Sequence, residues 1–508
     1  RGQGALVLVP EIALTPQLVS RFRVRLGERV AVQHSGLDPL ARHEQWLRIR
    51  SGELPVVVGA RSALFAPVAE LGLVIVDEEH EPSFKQETSP RYHARDLALV
   101  RGHLAKVPVV LGSATPSLES WANVAKKKLV RLSLPERAHQ NRPLPLVEVV
   151  DLRSAPMALV PRGAGPSSPG SPRGRKSRLV SRALCEALIE TVKAGEQAIV
   201  FLNRRGYASA IQCLGCGEPL VCPSCSVSLT WHRQRGRLVC HYCDETRPMP
   251  RACPKCQSPE LGEIGAGTEH IEEELGALVP GARLGRMDKD TTRGKALIKL
   301  LGAFRKREID ILIGTQMVAK GHDFPGVTLV GVLSAEHGLA FPDFRAAERT
   351  FQLLTQIAGR AGRGERVGRV LVQTHLPEHY AIRYAVTHDV TGFLDREQEL
   401  RDARGFPPSS HLALFRVAGP DEGQTATVAR ALEKALAEAA GSSGSVAVQP
   451  AQPAPIERIK DRWRYQVLVR AGERRDLRAL LEATRGVWAG RQPHGILVAL
   501  DVDPIQFL

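Results

Sequence analysis

The chain of 508 residues contains no apolar run approaching the ~20 residues that cross a bilayer. It shows no charged-then-apolar leader either, because Arg1 is followed within four residues by a strand-like run. A soluble, cytoplasmic protein with no membrane partner is expected. Lysine is scarce beside arginine, 15 against 54, and the 69 basic and 54 acidic residues leave a net charge of +15. An arginine bias spread over the whole length follows genome composition as easily as a polyanionic partner, so charge alone is weak evidence for nucleic acid. Cysteine is nearly absent outside one stretch: eight of nine lie between Cys213 and Cys256, and Cys185 is the exception. Such clustering argues against a disulfide framework and for metal ligation in a reducing compartment. At about 150 residues per domain the length suggests roughly three domains, and 43% hydrophobic content excludes a disordered chain.

Between residues 5 and 125, short β-branched runs at 5–9, 55–58, 73–76 and 107–111 alternate with amphipathic stretches at 15–26, 39–51, 93–104 and 117–125. Strands buried on both faces with helices between them make βαβ units and a parallel sheet. A second series covers about 178–375, with strands at 197–202, 310–313, 327–332 and 368–373 and a long helix at 344–358. The cysteine-rich stretch interrupts it after its first strand. A Pro/Gly/Ser/Arg-rich segment at 154–174 reads as a flexible linker. Beyond about 400, strands near 411–417 and 465–469, helices near 423–439 and 475–484, and a last strand at 495–502 suggest a small α+β domain.

Three short motifs carry chemistry. Asp77-Glu78-Glu79-His80 ends an apolar strand, and two acids at the carboxyl end of a parallel strand suit a Mg²⁺ ligand and a residue that orients water. Gly112-Ser113-Ala114-Thr115-Pro116 follows the next strand in the same way, its hydroxyls able to relay hydrogen bonds. Gln356-Ile-Ala-Gly359-Arg360-Ala-Gly362-Arg363 ends the long helix with two arginines three apart. In related NTPases an arginine that reaches a γ-phosphate is worth roughly 10³–10⁵ in rate. Taken singly, these are also an acidic turn, a plain turn and a helix C-terminus with stabilising charge.

In this order on two α/β units the motifs match superfamily 2 helicases, in which two RecA-like lobes clamp ATP. Longer segments narrow the resemblance: Pro10-Glu11-Ile-Ala-Leu-Thr15-Pro16-Gln17, Gly59-Ala-Arg61-Ser62, Arg91-Tyr92-His93-Ala94-Arg95-Asp96, Asn203-Arg204-Arg205-Gly206-Tyr207, Gly314-Thr315-Gln316-Met317 with Lys320-Gly321-His322-Asp323, and Asp343-Phe344-Arg345 with Glu348-Arg349. Together they resemble the PriA (primosomal protein N′) family of replication-restart helicases over nearly the whole chain. The resemblance implies an ATP-dependent 3′→5′ DNA helicase that restarts stalled forks and initiates primosome assembly. Its implied partners are forked and single-stranded DNA, primosome proteins and single-stranded DNA-binding protein. The expected domains are a first lobe over 1–135, an inter-lobe segment over 136–177, a second lobe over 178–395 with a zinc insert at 210–258, and a C-terminal α+β domain over 396–508.

The resemblance assigns roles residue by residue. Glu78, Gln356, Arg360 and Arg363 are catalytic, and Asp77, Ser113, Thr115, Gly321 and Asp323 contact ATP and Mg²⁺. Arg61, Ser62, Phe84, Lys85, Arg91, Tyr92, Thr315 and Lys320 contact DNA, several of them in the loop from Glu81 to Asp96. Ser334-Ala335-Glu336-His337 departs from the family pattern, in which an aspartate usually stands at this point.

The cysteines support this independently. Cys213-x2-Cys216, Cys222-x2-Cys225, Cys240-x2-Cys243 and Cys253-x2-Cys256 are four knuckles, enough for two closed zinc sites with four thiolates each. Spacing alone leaves the pairing of knuckles open. The family resemblance implies a nested arrangement, with the outer two knuckles on one zinc and the inner two on the other. Closed sites make the zinc structural. Over residues 203–256 eight basic and three acidic side chains give +5, with Trp231, His232 and Tyr242 among them, which suits single-strand contact.

The G-x-x-x-x-G-K-[ST] loop that cradles nucleotide phosphates occurs nowhere; the lone Gly-Lys pair is Gly294-Lys295. Two expectations compete: a chain that begins partway through its first lobe, or a non-catalytic, zinc-bearing DNA-binding scaffold for primosome partners. As it stands the chain is expected to bind ATP poorly.

Overall fold

The computed structural model describes every residue except 1, 11–15, 35, 135–143, 161–174, 203–210, 214, 226, 233–235, 241, 264–267, 288–294, 316, 317, 319–323, 363–365, 442, 443 and 508. Its contacts divide the chain into two units, the first ending at Arg131 and the second starting at Leu132.

In the first unit, strands β1 (Gly4–Leu8), β2 (Val30–Gln33), β3 (Val56–Gly59), β4 (Leu71–Asp77) and β5 (Val109–Gly112) form one sheet in the order β2-β3-β1-β4-β5. All four pairings are parallel. Leu6, Leu8, Val57, Val74 and Val76 are buried in its middle, with Ile49, Ala94 and Ala98 packed on them from the helices. Each large aliphatic side chain there contributes ~1.5–3 kcal/mol by leaving water. Helix Pro39–Arg50 starts where Asp38 accepts the Leu40 and Ala41 N–H groups at 3.0 and 3.3 Å, with proline in the first turn. The strand Val30–Gln33 was not among those expected, because its four residues follow a helix with no turn signal beyond Gly27.

The second unit holds a six-stranded sheet in the order Leu284–Met287, Ile311–Gly314, Gln197–Leu202, Val327–Leu333, Arg369–Thr374, Leu146–Asp151, every neighbour parallel. Gln197–Leu202 is buried at every position. The expected inter-lobe segment needs correcting here. Residues Leu146–Asp151 pair along their whole length with Arg369–Thr374 and belong to this sheet. Met157–Val160 and Arg175–Ser181 then form an antiparallel pair flanking 161–174, which lies outside the described residues. The C-terminal region is α+β as expected: an antiparallel sheet centred on His411–Gly419 and Arg462–Ala471, with helices Glu422–Ala440 and Arg474–Ala483 contributing Leu432, Leu436, Leu477 and Leu480 to its core.

Candidate nucleotide and metal sites

In the first unit, strand pairing puts Asp77 opposite Gly112, so the acidic motif and the serine motif leave the sheet side by side. Glu78 has a left-handed backbone, φ 49°, a conformation that is uncommon for residues other than glycine. The Glu78 N–H donates to Asp77 Oδ1 at 3.1 Å, and the Glu79 N–H donates to the Gly112 carbonyl at 3.0 Å. His80 Nδ1 lies 2.7 Å from Ser113 Oγ and 3.6 Å from the Glu78 carboxylate. Ser113 Oγ accepts the Thr115 N–H at 3.0 Å. The structure therefore brings Asp77, Glu78, Ser113 and Thr115 together. Desolvation raises the Asp77 carboxyl above its ordinary range, against the opposing Glu78 N–H and His80.

The third acid is different. Glu79 is 1% exposed and accepts from the Ser117 N–H at 2.7 Å, from Ser117 Oγ at 3.0 Å and from the Arg95 guanidinium at 3.2 Å. Arg95, also buried, donates to Ser117 Oγ at 2.6 Å and to Asp96 at 2.9 Å. Burial opposes its charge, but Asp96, Glu79 and Glu119 outweigh burial and raise its pKa. Glu79, Arg95 and Ser117 thus lock the acidic turn, the loop after it and the serine motif into one buried cluster. Sequence reasoning gave no role to Glu79 or Ser117; the available signal was an arginine and a third acid within one α/β unit.

The expected DNA contacts divide. Arg61 donates to the Ser83 carbonyl at 3.2 Å and also to the Lys85 carbonyl, tying 61–65 to 82–85. Ser62 is exposed, Arg91 and Tyr92 are partly buried, and Tyr92 meets the exposed Phe65 edge-on at 5.2 Å. Phe84 and Lys85 correct the expectation: at 1% and 4% exposure they are interior, Phe84 packing among Leu8, Val76 and Ala94. An apolar ring preceded by proline in a one-turn helix is held by the core, so as placed it offers no face to a base.

In the second unit, Thr315 follows Ile311–Gly314 and is partly buried. Lys320, Gly321, Asp323 and Arg363 lie outside the described residues. Helix Ala346–Ala358 carries Gln356, and Arg360 stands in the turn beyond it; both are partly buried. Gly362 closes that turn with φ 68°, its N–H donating to the Val327 carbonyl at 3.1 Å. A Cβ there would sit 2.4 Å from the Gly368 nitrogen, so the turn needs glycine. Glu336, 2% exposed, accepts from His375 Nδ1 at 2.8 Å; burial opposes its ionisation, but His375 and His337 hold it below the usual carboxylate range.

The helix begins at a buried junction. Tyr242 of the cysteine-rich insert accepts the Phe344 N–H at 3.3 Å and packs on Phe507 at 4.8 Å and Phe406 at 5.4 Å. Arg345 and Arg401 cover the Phe344 ring at 4.3 and 5.0 Å, and Arg401 also binds Glu348 at 2.6 Å. The segment from Asp343 to Arg349 is therefore a structural joint of insert, second lobe and C-terminal domain.

The eight clustered cysteines form two groups of four, Cys213, Cys216, Cys253, Cys256 and Cys222, Cys225, Cys240, Cys243, with the sulfurs in each group within 4.8 Å of one another. Cys213–Cys256, Cys216–Cys253 and Cys222–Cys243 sulfur distances are 3.5, 3.7 and 3.6 Å. Four thiolates at ~2.3 Å from one tetrahedral ion lie about 3.8 Å apart, so both groups fit zinc. This is the nested pairing. Gly217, Asp244 and Gln257, each just after the second cysteine of a knuckle, have φ 75°, 61° and 60°, the reversal that turns both thiols inward.

Four family models match: a DEAD/DEAH box helicase domain at 1–124, a helicase conserved C-terminal domain at 264–365, a PriA DNA helicase Cys-rich region domain at 222–248, and a primosomal protein N C-terminal domain at 402–505. The replication restart protein PriA of Treponema pallidum is 40% identical over 100% of this chain and 73% of its own length. The chain belongs to the PriA family. PriA of Bacillus subtilis is 45% identical over 100% of this chain and 61% of its own length, and PriA of Synechocystis 42% over 99% and 59%. The chain thus spans about three fifths of the length of these two PriA relatives. Among solved structures, RecG bound to a three-way DNA junction is 16% identical, covering 80% of this chain and 41% of its own, with a TM-score of 0.42. The PriA Cys-rich model covers the inner group of four, and the outer group flanks it. Among the described residues no helix is long and apolar enough to cross a membrane.

Proposed function

We propose that the protein is an ATP-dependent 3′→5′ DNA helicase that restarts stalled replication forks in the cytoplasm and initiates primosome assembly, with primosome proteins and single-stranded DNA-binding protein as partners. The observation that carries this reading is the cluster at the carboxyl ends of β4 and β5, where His80 and Ser113 bridge the acidic and serine motifs at 2.7 Å. Asp77 is the Mg²⁺ ligand. Glu78, its side chain 39% exposed, orients the attacking water. Bound Mg²⁺ would supply charge neutralisation on the phosphates. Ser113 and Thr115 pass the state of the acids to the loop that begins at Glu81, through His80 and the buried Glu79–Arg95 pair. Arg360 and Arg363, with Gln356 beside them, answer the γ-phosphate; Gly321 and Asp323 contact the nucleotide, and Thr315 and Lys320 contact DNA with Arg61, Ser62, Arg91 and Tyr92. The two cysteine groups hold structural Zn²⁺.

The test is DNA-stimulated ATP turnover and fork unwinding by the product of the complete gene. Glu78→Gln should lower turnover by at least 10³-fold while leaving fork affinity within twofold. Turnover that persists in Glu78→Gln removes the assigned role of that acid. A wild-type protein that binds forks and zinc without any turnover would replace the motor by a non-catalytic scaffold.

A further inference from the structure

The two cysteine groups differ in how the fold protects them. Of the eight thiols Cys256 alone is exposed; Cys213 and Cys253 beside it are buried and Cys216 is half-buried. The inner group sits within an apolar cluster. Its Cys222 and Cys240 are 0% exposed among Tyr242, Phe344, Phe406 and Phe507, and Cys225 and Cys243 pack against them. An oxidant in solution therefore meets the outer group at Cys256 and has to open the aromatic joint to reach the inner one.

The outer group also closes the base of the insert. Cys213 ends the strand Ile211–Cys213, which pairs antiparallel with Leu261–Glu263 beyond the last knuckle. Gly217, just after the first knuckle, lies against the second lobe, where a Cβ on it would fall 2.1 Å from the His375 Cβ. Zinc holds its cysteine ligands as thiolates, and oxidation selects cysteines that combine thiolate character with exposure. Cys256 has both, and a second sulfur, Cys213 Sγ, stands 3.5 Å from its own.

We propose that Cys256 is an oxidative modification site: hydrogen peroxide converts it and Cys213 into a disulfide, which releases the outer zinc and leaves the inner zinc bound. The Cys256 thiolate attacks one peroxide oxygen, the O–O bond breaks, and the departing hydroxide takes a proton to become water. Cys256 is then a sulfenic acid. The Cys213 thiolate attacks its sulfur, the S–O bond breaks, and a second hydroxide leaves as water with another solvent proton. Two sulfurs have lost two electrons in total, and the peroxide has gained them. With half its ligands joined to each other the outer group no longer holds Zn²⁺, and Cys216 and Cys253 take up protons as the ion departs. A dithiol reductant returns the pair to thiols, and the site refills with zinc. The inference rests on the reading that both groups hold zinc. Oxidation so confined loosens the base of the insert while the inner group stays fixed in the joint at Tyr242.

The experiment treats the zinc-loaded whole chain with hydrogen peroxide, follows released zinc with a chromogenic chelator, and maps modified cysteines by mass spectrometry with and without dimedone, which traps sulfenic acids. One zinc equivalent should leave in a phase roughly tenfold or more faster than the other, with dimedone on Cys256 and a Cys213–Cys256 disulfide that dithiothreitol reverses. Amide exchange should rise at Ile211–Cys213 in the oxidised chain and stay unchanged at Thr230–His232. Cys256→His keeps four ligands and removes the attacking sulfur, so it should abolish the fast phase. Where that variant fails to hold two equivalents, the dimedone and disulfide maps of the wild type decide by themselves. Fewer than two equivalents before treatment overturns the zinc reading itself. Two equivalents that leave together, a first modification on an inner cysteine, or no release under a large peroxide excess leaves that reading standing and overturns the proposal.

Discussion

Replacing Arg95 by methionine isolates the buried cluster that underlies the acidic turn. Methionine keeps an unbranched apolar stem and removes the guanidinium, so Glu79 loses its ionic partner while remaining 1% exposed. Removing one member of a buried pair typically costs ~3–5 kcal/mol, because the remaining charge stays in low dielectric. Here the low end applies, about 3 kcal/mol, since the Ser117 N–H and hydroxyl still donate to Glu79 at 2.7 and 3.0 Å. At about 1.4 kcal/mol per tenfold, amide protection in β4 around Val74 and Val76 should fall by roughly 100-fold in native-state hydrogen exchange, with the C-terminal sheet unaffected. The double variant Arg95→Met/Glu79→Leu replaces the pair by apolar groups and should recover most of the loss, because a buried ion pair exchanged for packed hydrophobes is often neutral. A single variant that loses less than about tenfold protection, or a double variant worse than the sum of the singles, would refute the argument that Glu79 and Arg95 are a mutually dependent pair.

Metal analysis of the purified chain should give two zinc equivalents, and Cys240→Ala, which breaks only the inner group, should leave one; fewer than one in the wild type would remove the two-site reading. Tyr242→Ala should lower stability by ~3–5 kcal/mol by opening a cavity among Phe344, Phe406 and Phe507, whereas Tyr242→Phe should cost only ~1 kcal/mol, for removal of the acceptor that serves the Phe344 N–H. Denaturant midpoints of the two variants check this, and equal midpoints would place Tyr242 outside the joint. His379 accepts the Ala381 N–H at 3.2 Å through Nδ1, and burial pushes its pKa down to about 4. Because the folded value is depressed, its contribution to stability is complete above the unfolded pKa of ~6.5 and is lost as pH falls from there towards 4. An NMR titration of the imidazole with a midpoint near 6.5 would contradict this.

Much of the fold was legible because its strands are unbroken apolar runs, buried at every position in Gln197–Leu202 and at Val74 and Val76 in Leu71–Asp77. The runs at 73–76 and 197–202 have no polar residue between their ends and match Leu71–Asp77 and Gln197–Leu202. The two cysteine groups were legible because thiolate spacing is a local geometric requirement, although which knuckles share an ion depends on chain reversal over some 40 residues and needed either a relative or coordinates. Residues 146–151 were read as part of a connector because an edge strand with Leu146 60% and Val149 37% exposed carries little of the burial signal.

The misplacement of Phe84 and the silence over Glu79 have one cause. Sequence shows which residue types stand near a catalytic turn and leaves open which of them face solvent. Three consecutive acids look equivalent as letters, yet the turn at Asp77 leaves Glu78 39% exposed and Glu79 1% exposed, and only the second can be held by Arg95 and Ser117 from both sides. The left-handed backbone of Glu78, φ 49°, costs on the order of 1 kcal/mol in a free chain and persists when its neighbours are fixed. Asp77 is fixed by the sheet, and Glu79 by the buried pair and the Gly112 carbonyl. The acid assigned to orient water is therefore positioned by the two that flank it, and a charge-conserving change at the buried one should disturb turnover as well as stability. Glu79→Asp shortens the reach to Ser117 by one methylene while keeping the charge, and in the complete gene product it should lower kcat for ATP more than it raises KM. A KM effect alone would mean that Glu79 braces the fold without orienting Glu78.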